Sequence, residues 1–143
     1  MFQKKDFGNT APLLGAIAQV ATADVTGAAC DLLEHDSCYI EFNVGNSGDT
    51  LSGSVYMELE IQTRDENGNW VAAADADLSA TAVTGTNTGT IALINAPGED
   101  SLLIGTGYLG RERHVRGVVN FTGTHSNGTP VAIQYLRSRD KYS

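Results

Sequence analysis

The chain has 143 residues, 41% of them hydrophobic, which suffices for one domain with a core of its own and no stabilising metal or bridge. A formal net charge of −8 repels polyphosphate and argues against nucleic acid as a partner. No apolar run approaches the ~20 residues of a membrane helix, and no apolar stretch follows Lys4 and Lys5 as it would in a secretory signal, so the sequence predicts no membrane partner and no export by that route.

Residues 1–24, MFQKKDFGNTAPLLGAIAQVATAD, show no clean period. PLLGAIAQVA has some helical character, but Gly15 weakens it and no capping residue precedes it. This stretch reads as an extended N-terminal arm. Phe2, Phe7, Leu13, Leu14 and Ile17 are its apolar anchors, which need a surface on a neighbouring subunit or on the chain's own domain.

From residue 25 to residue 143 the pattern is that of strands. CYIEFNVG alternates, with Cys38, Ile40, Phe42 and Val44 on one face and Tyr39, Glu41 and Asn43 on the other. SVYMELEIQTRD is the clearest strand: Val55, Met57, Leu59, Ile61 and Thr63 face a core, and Tyr56, Glu58, Glu60 and Gln62 face out. It ends at Asn67-Gly68, a pair suited to a two-residue type I′ hairpin, with Trp70 and Val71 opening the return strand. Further strands are predicted at residues 89–95, 101–109, 113–123 and 130–138, with turns at APGED and THSNGT. Seven or eight short strands without a strong helix predict an all-β, single-domain β-sandwich or barrel, jelly-roll-like in class.

Charge is segregated along the sequence. Residues 6–110 carry fifteen acidic residues against the single Arg64, whereas residues 111–143 hold six of the nine basic residues. Three of these, Arg111, Arg113 and Arg116, crowd into GRERHVR. Guanidinium groups so spaced can pair bidentately with carboxylates of the same domain or of a neighbour. The first reading is favoured for Arg113, and an inter-subunit contact for Arg116, with Arg111 at the mouth of the strand.

No catalytic or metal-binding pattern emerges. Asp75 and Asp77 lie two apart but lack the surrounding oxygen donors of a calcium loop. His35 and His125 sit in polar turns and His114 on a strand, none beside an evident nucleophile. Nucleophile-elbow, Walker, H-E-x-x-H and dinucleotide-binding motifs are absent. Cys30 and Cys38 match no zinc spacing and read as small buried hydrophobes, with a disulfide as the lesser alternative. The sequence therefore predicts a protein that is not an enzyme and holds neither cofactor nor metal.

Two segments together carry a family likeness. ELEIQTRDENGNWVAAADADL, and IGTGYLGRERHVRGVVNFTGTHSNGTPVAIQYLRS after a variable loop, resemble small virion proteins of tailed bacteriophages that are encoded beside the major capsid protein. The likeness spans residues 25–138, with one alanine more in VAAADADL than in the pattern it resembles. It implies a capsid decoration (cement) protein, a homotrimer on the outer surface of the head that bridges neighbouring major capsid subunits. The implied location is the capsid exterior, after a passage through the host cytoplasm during assembly. A head-spike base, a neck or tail component, and a glycan-binding module using Tyr39, Tyr56 and Trp70 are the alternatives.

Overall fold

The computed structural model describes residues 11–79 and 88–138. Their strands are β1 (Ala11–Ala21), β2 (Val25–Thr26), β3 (Cys30–Asp31), β4 (Cys38–Val44), β5 (Tyr56–Arg64), β6 (Trp70–Ala72), β7 (Thr90–Ile94), β8 (Leu102–Tyr108), β9 (His114–Thr122) and β10 (Thr129–Arg137). One sheet has the order β1-β10-β4-β8. In the other, β9 and β5 are central, β2 and β3 share the free side of β9, and β6 and β7 share the free side of β5. All of these pairings are antiparallel.

Taking β2 with β3, and β6 with β7, as single interrupted strands gives eight positions in two sheets of four. The chain passes from one sheet to the other at nearly every step, staying within a sheet only from β5 to β6. This is the double Greek key of a jelly roll, the class expected from the sequence. The sandwich is laced at both sides. Ala28 N–H donates to Gly15 O on one flank, and Leu109 N–H to Asp77 O and Ser79 N–H to Gly107 O on the other.

Alternation explains the long strands. In β4 and β5 every second residue is buried, with Ile40, Phe42, Met57, Leu59 and Ile61 fully enclosed. β10 adds Val131, Ile133 and Tyr135 and β9 adds Val115 and Val119, so the core lies between the sheets. Val118, on the opposite face of β9 from Val119, is also buried.

The stretch read as an arm enters the sheet from Ala11 onward, folded back on its own domain. The eleven-residue β1 lies beside β10 as an edge strand, with register shifts between Leu14 and Ala16 and between Ala16 and Gln19. The hairpin after β5 also differs from expectation. Asp65 N–H donates to Asn69 O, Gly68 N–H donates to Asp65 O, and only Gly68 has positive φ, at 83°. The loop therefore has three residues: a type I turn followed by a left-handed glycine. The Asp65 carboxylate decides this, because its Oδ1 accepts from the N–H groups of both Asn67 and Asn69 at 2.9 Å.

Candidate functional site

The sheet order puts Ala11, Arg137, Cys38 and Tyr108 side by side at one end of the sandwich. The 109–113 loop and the 65–69 hairpin close the same end. Every arginine of the described residues lies toward it: Arg64, Arg111, Arg113, Arg116 and Arg137. The opposite end is built from the 22–24, 45–55, 95–101 and 123–128 loops. Among the described residues its charged side chains are the acids Asp24, Asp49, Glu99 and Asp100.

Those four carboxylates are structural. Asp24 accepts from Phe121 N–H at 2.7 Å, Glu99 from Asn95 N–H at 2.9 Å and Asp100 from Ser47 N–H at 2.7 Å. Asp49 takes the N–H groups of Asn127 and Gly128, at 2.9 and 2.8 Å, and these bonds hold its carboxyl below the usual range. His125, which the sequence puts in a polar turn, is buried between these loops. Its Nε2 lies 2.9 Å from Thr122 O, and its ring meets Phe121 edge-on. A turn-like sequence gave no sign of that burial, which depends on the 45–55 loop folding over it.

At the arginine end the expected cations separate by role. Arg113 forms a bidentate pair with Asp31, with Nε–Oδ1 and Nη2–Oδ2 both 2.8 Å, and this contact holds the Asp31 carboxyl far below the usual range. Its partner is thus an acid of its own domain, as favoured. The side chain is half exposed. Arg116 lies over the Trp70 ring, 4.2 Å from its centroid, while its Nε donates to Gln62 Oε1 at 2.8 Å. These contacts, from β9 to the β5–β6 hairpin, hold the guanidinium within its own domain. Arg111 is exposed beside Leu33 and Leu109, themselves 56% and 64% exposed.

An apolar surface lies elsewhere, on the outer face of the four-stranded sheet. The register places Pro12 and Leu14 of β1, Leu136, Gln134 and Ala132 of β10, Tyr39 and Glu41 of β4, and Leu103 of β8 on that face. A groove of 430 Å³ runs over Pro12, Leu14, Tyr39 and Leu136. A second, of 220 Å³, continues it over Ala16, Ala18 and Ala132, sharing Leu14, Glu41 and Gln134 with the first. Glycines shape the rim: a Cβ on Gly105 would fall 2.5 Å from the Tyr39 ring, so only glycine lets that ring lie across β8. The Gln134 amide donates to the Glu41 carboxylate on the floor.

Of the expected anchors, Leu14 lines this groove. Leu13 turns toward the core, Ile17 is exposed on the edge strand, and Phe2 and Phe7 lie outside the described residues. Tyr39, Tyr56 and Trp70 are not brought together, since Tyr39 belongs to one sheet while the other two lie toward opposite ends of the second. Among the described residues no group of three or more His, Cys, Asp or Glu side chains is arranged to hold a metal ion. Tyr39, Leu136 and Leu103 were missed as a surface because alternation marks them only as outward. The register that aligns them across three strands is not a local signal.

No family model and no curated protein matches the chain. Among solved structures it is similar to the crystal structure of SPBc2 prophage-derived protein YomS. The TM-score is 0.37 at 15% identity, over 90% of this chain and 91% of that one.

Proposed function

We propose that the chain is a structural protein of a tailed-bacteriophage virion: a decoration protein that lies on the outside of the head and bridges neighbouring copies of the major capsid protein. It acts there as a homotrimer and makes or breaks no covalent bond. The observation that carries this reading is the groove on the outer sheet face, lined by exposed Pro12, Leu14, Tyr39 and Leu136, in a protein whose net charge is −8. An exposed apolar surface of this kind is covered in use by another protein. The jelly roll and the likeness of residues 25–138 to small phage virion proteins add support.

The mechanism is additive. Covering Leu14, Tyr39 and Leu136 removes apolar area from water at about 25 cal/mol per Å². Glu41 and Gln134 supply polar atoms that fix orientation. Each contact is modest, and the strength comes from repetition over many linked sites on one shell. Arg111, with Leu33 and Leu109, offers a second contact at the arginine end.

Leu14→Glu and Leu136→Glu alter exposed side chains and leave the core intact. Co-sedimentation with heads stripped of the protein should show about tenfold weaker binding or worse, because a charge would be buried without a partner. Binding equal to that of the unaltered protein would remove the groove from the interface. Copy number separates the decoration role from a vertex or tail role: hundreds per particle fit the first, and about sixty or fewer the second.

A further inference from the structure

Cys30 and Cys38 belong to different sheets. Cys30 pairs with Val115 of β9, and Cys38 with Arg137 and Tyr108 of the other sheet. At the arginine end, where the 32–37 loop joins the sheets, their sulfurs meet at 3.6 Å. Both residues are buried, at 0% and 2% exposure, and both are free thiols. A bond length of about 2.05 Å is reached by closing the two sulfurs by roughly 1.5 Å.

We propose that this pair is an oxidation site, which glutathione disulfide converts into a bond tying the two sheets together. The inference is independent of the function proposed above. The Cys30 thiolate attacks one sulfur of the oxidant and expels a glutathione thiolate. The Cys38 thiolate then attacks Cys30 Sγ in the mixed disulfide and expels the second. Two electrons pass from the cysteines to the oxidant, and the two thiol protons go to the two departing glutathiones.

Access comes through β3, a two-residue strand at the sheet edge, the kind of element that opens locally before a core does. This makes Cys30 the first nucleophile. The hydrogen bond from Cys38 lowers its pKa, while the same contact and burial push Cys38 up. Closure would pin the loop that carries Leu33 and adjoins the Asp31–Arg113 pair.

The test uses the full chain, reduced and then equilibrated across a series of glutathione disulfide to glutathione ratios. Iodoacetamide under denaturing conditions followed by intact mass reads the outcome. The expected product is a monomer lighter by two hydrogens, unreactive to iodoacetamide, free of bound glutathione and reversed by dithiothreitol. It should melt about 5–10 °C higher than the reduced form. Cys30→Ala and Cys38→Ala, made separately, should show no such shift. Two alkylatable thiols at every ratio, a product that stops at a glutathione adduct, a bond between chains, or a bonded form that melts no higher would each overturn the proposal.

Discussion

The Tyr135 hydroxyl joins three parts of the chain. From β10 it donates to Ala28 O at 2.7 Å, in the link between β2 and β3, and it accepts from Gly117 N–H of β9 at 3.1 Å. Removing it leaves both backbone groups without this partner in a buried site, so Tyr135→Phe should cost about 1–3 kcal/mol in urea unfolding. Burial pushes this hydroxyl up to about 12, above the ~10 of an unfolded tyrosine. Folding therefore favours the neutral form. Its contribution is complete below pH ~10 and disappears as the pH rises toward 12. Stability measured across that range should fall less steeply in Tyr135→Phe, with a residual slope from Tyr108, also raised by burial. Little of this was legible beforehand. Alternation places Tyr135 on the core face, but its two partners lie 107 and 18 residues away. The Arg113–Asp31 pair spans 82 residues and was equally beyond a local reading.

Among the strands, β9 shows how tightly the sheets meet. A Cβ on Gly117 would lie 2.9 Å from the Phe42 ring and 3.1 Å from side-chain carbons of Ile133 and Ile40. Gly117→Val should therefore force the sheets apart and cost about 1–3 kcal/mol or more by chemical denaturation. Gly53→Ala, where nothing lies within 4 Å, is the matched control and should be near neutral. β4 and β5 were readable because each has one face in the core and one outside, which writes a period of two into the sequence. β1 was not, because its register shifts break the period and an edge strand is free to expose Leu14 and Ile17. β2 and β3 are too short, at two residues each, to carry any period. The hairpin was placed correctly from Asn67-Gly68, but its loop length was set by the Asp65 carboxylate, which a dipeptide rule does not consider.

The whole molecule is dominated by pairings between distant parts of the chain, β1 with β10 and β2 with β9 above all. Closing such loops before their contacts form makes folding slow. Refolding from urea should fall in the millisecond-to-second range, slower than for a helical bundle of equal size. The single tryptophan, Trp70, stacked under Arg116, is a natural fluorescence probe for stopped-flow measurement. A microsecond phase accounting for the full amplitude would contradict this. The class of fold was legible at this scale, as a count of short strands, whereas the strand order was not. Only that order gathers arginines distant in the sequence to one end, where they meet acids that include Asp31, Glu34, Asp65 and Glu112.

That same order has a consequence during synthesis. β1 leaves the ribosome ahead of its partner strand, which ends at Arg137, so β1 waits unpaired while more than a hundred later residues are translated. Its eleven residues contain no charged side chain to discourage the wrong neighbour. In a cell making many copies at once, nascent chains would meet through this strand first, and holding chaperones would find their target there.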